Sequence, residues 1–354
     1  MEDTNPVVDA ATSILRDLAD PQTVNRANDN AWHGPAWAAL EEAGLTLAWV
    51  PETLGGGGVE LGDGFAVLRQ VGRFAVAVPL AETLLAGWLL ARAGIPSPKG
   101  AMACGPAREG DRLALAPNGR LSGTARAIPF AGDAKHLALL ARRESGGAAV
   151  VLIETAQARL SDGRSMVGDP LNAVTFEGAR PVAVKDAPVG FDGDSLMLMG
   201  AAARSLQMAG ALEAILDLAV AYANERVAFE RPIAKFQAVQ HNLARLAGET
   251  AVAVAAAGSA ADAIANAQSF DEAVFLEVAS AKIRVGEAAT EGAAIAHQVL
   301  GAIGFTQEHV LHRFTRRLWA WRDDFGNESR WAVKLGNLVA SKSADGLWPM
   351  LAAR

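Results

Sequence analysis

The sequence predicts a mainly α-helical protein with a β-domain in its middle, and three observations carry that prediction. Apolar residues recur at helical spacing near the N-terminus, at Val7, Val8, Ala11, Ile14, Leu15 and Leu18. Between about residues 97 and 190, Pro, Gly and charged residues cut the chain into short apolar runs, at 113–117, 136–142, 148–154 and 173–178, which read as strands. From about residue 194 the pattern turns helical again and stays so. The expected division is a helical domain over 1–96, a β-domain over 97–192 and a helical bundle over 193–354.

The elements follow in order. A helix is expected over 7–19 and a second over 35–44, ended by Gly44. Gly55 to Gly58 read as a flexible connecting loop, because no strand precedes them and no helix with a leading lysine follows, as a phosphate loop would require. Helices return over 62–94. After 194 a broad apolar face runs through Leu206, Ala209, Gly210, Leu212, Ala214, Leu216 and Val220, with small residues such as Gly210 allowing close helix contact. Further helices are expected over 237–267, 271–302, 307–322 and 328–343, and short links between them argue a bundle.

Composition narrows the function. The 354 residues suffice for two or three domains, and 51% hydrophobic with 20% charged residues lies in the range of soluble globular chains. A net charge of −7 gives no reason to expect nucleic acid as a partner. The single Cys104 excludes an intrachain disulfide framework and reads as a small buried residue. The N-terminus is acidic and lacks a signal-peptide pattern, and no apolar run reaches the roughly 20 residues that span a bilayer, so a cytoplasmic location is expected. No metal site is expected: His309 and His312 stand three apart without a completing acid or cysteine pair.

The stretch Arg226 to His241, RVAFERPIAKFQAVQH, offers Arg226 and Arg231 as candidate anion binders, since a guanidinium presents a planar fork of donors suited to phosphate. It resembles the R-x-x-F-G-x-P-I-x-x-F-Q-x-x-x-H segment of the acyl-CoA dehydrogenase family. Other stretches extend the resemblance. Gly44, Leu45, Val50, Pro51, Glu52, Gly55, Gly56 and Gly58 match a G-L-x-x-x-x-V-P-E-x-x-G-G-x-G passage. Gln298, Gly301, Gly304, Phe305, Thr306, Glu308, Leu311 and Arg316 match A-x-Q-x-x-G-G-x-G-(Y/F)-T-x-E-x-x-L-x-R-x-x-R.

The resemblance implies a helical N-terminal domain, a small β-barrel or sandwich domain and a C-terminal four-helix bundle, with FAD as cofactor. It assigns Arg226, Phe229 and Gln237 to the flavin, with Arg226 and Gln237 on the pyrophosphate, and Gln298 and Gly301 to the adenine end of an FAD held mainly by a neighbouring subunit. The implied reaction is α,β-dehydrogenation of an acyl-CoA substrate, with an electron-transfer flavoprotein or similar acceptor. The implied assembly is a homodimer or homotetramer, or a heterotetramer with a second such chain acting on steroid side chains or other bulky acyl groups.

Four departures cut against independent catalysis. Glu230 stands where the family has glycine, and Ala302 where it has a second glycine. The segment 104–112 replaces the family's T-E-P-x-x-G-S-D loop. The family's basic glutamate, in Y-E-G-T, aligns with Phe325; Asp324, one residue earlier, is the nearest candidate catalytic base, with Asp323 and Glu328 beyond it. The alternative readings are therefore a non-catalytic or flavin-sharing subunit of a heteromer, and a helical interaction protein that has lost flavin.

Overall fold

A computed structural model describes residues 5–27, 34–342 and 344–352; the first four residues of the acidic N-terminus lie outside them. Helix α1 (Pro6–Leu18) begins where the Asn5 side chain accepts from the amides of Val7 and Val8, at 3.1 and 3.3 Å, covering donors that a helix start leaves open. A short α2 (Pro21–Ala27) follows, too brief for its stripe to show in the sequence. Then come α3 (Gly34–Glu42), α4 (Leu61–Phe74) and α5 (Leu80–Arg92). The four glycines before α4 are not a flexible connector. The Gly57 amide donates to Leu47 at 3.0 Å, the Gly58 amide donates to Val50 at 2.9 Å, and a Cβ on Gly56 would meet the Val50 carbonyl oxygen at 2.1 Å.

The middle of the chain forms one sheet from β1 (Met102–Gly105), β2 (Arg112–Leu115), β3 (Leu121–Pro129), β4 (His136–Arg143), β5 (Ala148–Glu154), β6 (Arg159–Leu160), β7 (Leu171–Ala179) and β8 (Ala183–Asp186). Its order is β6-β7-β3-β2-β4-β5-β8, with β1 pairing parallel to β4. The apolar runs of β4 and β5 are buried on both faces, whereas β2 alternates exposed and buried. Helix α5 covers this side: Leu80, Leu84, Leu85, Leu89 and Leu90 are all buried, each contributing about 1.5–3 kcal/mol. Thr83 fixes the register, its hydroxyl accepting from the Met102 amide at 3.1 Å. Cys104 on β1 is a buried packing residue, and burial beside Glu82 pushes its thiol well above the usual range.

The C-terminal part comprises α6 (Gly193–Glu225), the two-residue strands β9 (Val227–Ala228) and β10 (Arg231–Pro232), α7 (Gln237–Asn266), α8 (Glu272–Leu300), α9 (Leu311–Asp323), α10 (Glu328–Ser341) and α11 (Ala344–Ala352). Helix α9 starts at Leu311 rather than near 307, because the chain first makes a 3-10 turn over Gly301–Phe305. Helix α11 lies beyond the last helix expected from periodicity, at 328–343.

Helix α6 is the axis of the molecule, packed by α4, α7, α8 and α9. By length and composition it is apolar enough to cross a bilayer, against the expectation that no such run exists; 61% of its apolar window is buried, which suits a core helix equally well. Its contact with α4 is backbone to backbone: a Cβ at Gly210 would lie 1.9 Å from the Arg69 carbonyl oxygen, and one at Gly72 would lie 1.9 Å from that of Gln207. At the corner of the three regions, Trp88, Phe191 and Phe270 meet with ring centroids 5.5–6.0 Å apart.

Candidate functional site

One candidate region lies at the C-terminal end of α6. Arg226 caps that helix, its amide donating to Tyr222 at 2.8 Å, and its carbonyl accepts from Ile233 at 2.8 Å, which folds the β9–β10 hairpin back onto the helix end. The hairpin turns through Phe229 and Glu230, at φ 51° and 66°. Left-handed backbone at a non-glycine residue costs about 1–2 kcal/mol. Phe229 is 89% exposed and touches Phe236 edge-on at 6.1 Å, while the Arg231 guanidinium lies 4.3 Å over the same Phe236 ring. Among the described residues no side-chain hydrogen bond or ion pair is recorded for Arg226, so its fork is available to an anion. Gln237, the first residue of α7, is exposed.

Two clefts adjoin here. One, of about 650 Å³, is lined by Tyr222, Arg226, Ile233, Ile303 and Thr306 among others. The other, of about 640 Å³, holds His297, Gln298, Gly301, Phe305 and Trp319. Ala302 lines both and is exposed, so its methyl group sits at their shared edge. Gly301 ends α8 at φ 65°, with open space where a Cβ would project. His297 stacks on Phe305 at 4.5 Å, and burial, with His312 nearby, holds its pKa below the usual histidine value. Of the residues expected from sequence, Arg226, Gln298 and Gly301 thus line the two clefts; Phe229 and Gln237 are exposed but line neither. A free guanidinium, exposed amide side chains and an open glycine suit the phosphate and adenine end of a dinucleotide.

The second region is the turn between α9 and α10. Asp324 caps α9, Phe325 and Gly326 take left-handed backbone at φ 54° and 93°, and Asn327 caps α10 by accepting from the Arg330 amide at 3.1 Å. Phe325 is 3% exposed. Its ring fills the space beside Gly200 on α6, where an added Cβ would lie 2.3 Å from the ring. Its carbonyl accepts from the Trp331 indole at 3.0 Å.

Asp324 points inward and accepts from Arg204 Nε at 2.9 Å. The same guanidinium donates to Gln207 at 2.5 Å and to Glu82 of α5, and is itself 3% exposed. Burial works against the charge on Arg204, but Glu82 and Asp324 outweigh it and hold its pKa above the ordinary value. For Asp324, burial dominates and raises the carboxyl, with Arg204 and Lys282 pulling the other way. Lys282 of α8, 1% exposed, donates to the carbonyls of Trp321 and Arg322 at 2.9 and 2.8 Å, and burial lowers its ammonium to about 7. The turn is therefore tied from both sides.

Asp323 lines a separate polar cleft of about 470 Å³ with Arg108, Glu109, Arg126, Asn327 and Arg330, facing the segment that replaces the family loop. Glu328 pairs with Arg322 at 3.6 Å. No side chain at this turn combines a free carboxylate with an apolar slot. Sequence reasoning missed the Arg204–Glu82–Gln207 network. The available signal was composition: single polar residues set in otherwise apolar helical runs, as in LAETLLAGWLL, need buried partners.

Comparison with known proteins agrees with this geometry. Residues 195–322 match the family model described as "Acyl-CoA dehydrogenase, C-terminal domain". The chain is 31% identical over 338 residues to acyl-CoA dehydrogenase FadE34 of Mycobacterium tuberculosis, covering 93% of this chain but only 45% of FadE34. It is 31% identical over 270 residues to acyl-CoA dehydrogenase FadE28 of the same organism, covering 68% of this chain and 70% of FadE28. Its fold superposes on a chain of the ChsE4-ChsE5 complex of M. tuberculosis with a TM-score of 0.84, at 23% identity, covering 97% of this chain and 100% of the other. The chain belongs to the acyl-CoA dehydrogenase family, whose cofactor is FAD.

Proposed function

We propose that this chain is the non-catalytic, flavin-completing subunit of a heteromeric acyl-CoA dehydrogenase in the cytoplasm, and that a second family chain supplies the catalytic base. One observation carries the reading: the ring of Phe325, which the resemblance aligns with the family's basic glutamate, is packed on Gly200, while the adjacent carboxylate of Asp324 is committed to Arg204. FAD, when bound, supplies the hydride acceptor for α,β-dehydrogenation of the CoA thioester. Toward it this chain offers Arg226 and Gln237 for the pyrophosphate, and Gln298 and Gly301 for the adenine end. Phe229 stands exposed at the hairpin tip. Asp324 serves as an anchor of the α9–α10 turn rather than as the base, since a base must reach the substrate α-proton.

Two comparisons support a paired assembly. The similar solved fold comes from a complex of ChsE4 with ChsE5. A match that fills 45% of FadE34 leaves room there for a second unit of this size. An acyl-CoA substrate and an electron-transfer flavoprotein or similar acceptor are then partners of the assembly.

Co-expression with a second chain of the acyl-CoA dehydrogenase family tests the proposal. The complex is expected to be yellow, to hold fewer flavins than chains, and to oxidise a CoA thioester. The isolated chain is expected to show no turnover. Turnover by the isolated chain with bound FAD overturns the reading. A complex that is colourless and recovers no FAD overturns it in favour of an interaction protein without flavin.

A further inference from the structure

We infer that three histidines form an acid-operated latch on the wall shared by the two clefts: protonation of His309, joined by His297 and His312, releases segment 301–310 and loosens both clefts. The latch rests on the geometry of that segment alone. Its consequence for FAD rests on the half-site reading above.

Segment 301–310 is the shared wall, since Ala302 lines both clefts, Ile303 and Thr306 line one, and Phe305 lines the other. At its near end the Gly301 amide donates to the His297 carbonyl of α8, and the His297 ring stacks on Phe305. In its middle the Asn25 side chain of α2 donates to the carbonyls of Gln307 and Glu308, at 3.0 and 3.3 Å. Its far end is held by His309. The Nδ1 of that ring accepts from the Leu311 amide at 3.1 Å, covering a donor that the start of α9 leaves open, because the cap residue Val310 makes no side-chain bond. An amide only donates, so Nδ1 presents a lone pair there, and a proton on Nδ1 removes the bond. His312 Nδ1 donates to the His309 carbonyl at 2.8 Å, and His297 Nε2 lies 3.2 Å from the Thr315 hydroxyl. The three rings thus tie the wall to α8 and α9.

The surroundings resist positive charge on these rings. A helix start is the positive end of the helix dipole, and the first turn of α9 holds His312 and Arg313 but no acid. Arg313, Arg316 and Arg317 of the same helix act on His312. From α6, Arg226 lines the adjoining cleft, and Tyr222 meets His309 edge-on at 6.4 Å between ring centroids. From α2 comes the neutral Asn25. From the β-domain, the Met166 carbonyl accepts from Arg316, and Asp169 is taken by Arg317 at 3.4 Å. Glu308 beside His309 is exposed. Burial first, then His312 and His297, hold His309 below the ordinary value of 6.5. Burial also holds His312 and His297 down, against the pull of their backbone bonds. The rings do not gather as metal ligands: among the described residues no group of three could hold an ion.

The closed wall therefore keeps these rings neutral, and an opened wall lets them take protons. The closed form has its full stability above pH 6.5 and loses it as pH falls below that value, by at most about tenfold per ring and pH unit.

Hydrogen exchange of the purified chain at pH 7.5 and 5.5 tests the latch, corrected for the intrinsic pH dependence of exchange and with α5 as internal reference. Residues 301–313 are expected to lose protection by at least about tenfold on acidification while α5 keeps its own. His309→Asn sets an amide oxygen where Nδ1 stands, so it keeps the bond to Leu311 and does not titrate. Its loss is expected to stay within about threefold. His309→Ala lacks the bond at any pH and is expected to show at pH 7.5 the low protection that wild type reaches at pH 5.5. Unchanged protection in wild type, an equal acid loss in His309→Asn, full protection of His309→Ala at pH 7.5, or an equal loss in α5 overturns the inference. In the co-expressed complex, flavin fluorescence over the same pH range reads FAD release. Release in step with the opening supports both latch and half-site; opening with FAD retained supports the latch and counts against the half-site reading.

Discussion

The two ends of the site differ in how their polar groups are committed. At the α9–α10 turn the inward-facing buried groups have protein partners: Arg204 binds Asp324, Glu82 and Gln207, and Lys282 closes the end of α9. At the end of α6 the reverse holds, since Arg226 and Glu230 are unpaired among the described residues and Phe229 and Phe305 are exposed. A closed network stabilises its own chain, and an open one waits for another molecule. The difference teaches that the carboxylate nearest the expected base position is committed to the chain's own packing, while the outer cleft leaves its polar groups open.

The largest effect that can break this comparison lies in the closed network. Asp324→Ala leaves a buried guanidinium short of one anion, and breaking such a pair costs about 3–5 kcal/mol, read as a lower urea midpoint. Turnover of the assembled complex is expected to stay within about threefold, because general acid–base catalysis would be worth 10²–10⁴-fold if Asp324 were the base. A hundredfold loss at normal FAD content would return Asp324 to that role.

A middle-sized effect probes the open end. Arg226→Ala removes a charge-assisted contact worth about 1.5–3 kcal/mol, so the complex is expected to retain FAD at least about tenfold less tightly, with the melting curve of the apo-chain unmoved. An unchanged flavin affinity would show that the cleft is not used.

The effect that is smallest per step of the measurement, though it accumulates over several pH units, sharpens the closed side through pH. Lys282 has a folded pKa of about 7, below its ordinary value of 10.5, because it is buried. Between those values the unfolded chain holds a proton that the folded chain has released. Stability therefore rises with pH through that window, by at most about 1.4 kcal/mol per unit. Lys282→Met is expected to flatten the rise in urea midpoints measured from pH 7 to pH 10. An identical slope in the variant would mean that other groups carry it.

Much of the fold was legible because it is written in local periodicity. The stripe of α1 and the apolar runs of β4 and β5 need only neighbouring residues to be read. Arg226, Gln298 and Gly301 were legible as wording in short segments, and the structure shows them lining two adjoining clefts. The Arg204 network was not, because its partner Glu82 lies 122 residues away and only packing of α5 against α6 brings them together. Asp324 was found by register, but register does not say which way a side chain turns. The four glycines misled for the same reason: Gly56 is fixed by the carbonyl of Val50, not by anything in its own stretch.

Phe325 carries a consequence for descent. Its ring fills the hollow that Gly200 leaves, so the two positions now depend on each other. Replacing Phe325 by glutamate alone would leave a hollow in the core and set a carboxylate beside one already held by Arg204. Regaining a base would require several coordinated changes, each harmful by itself. Under the proposed reading the pair Phe325 and Gly200 acts as a ratchet, and dependence on a partner is the more durable for it.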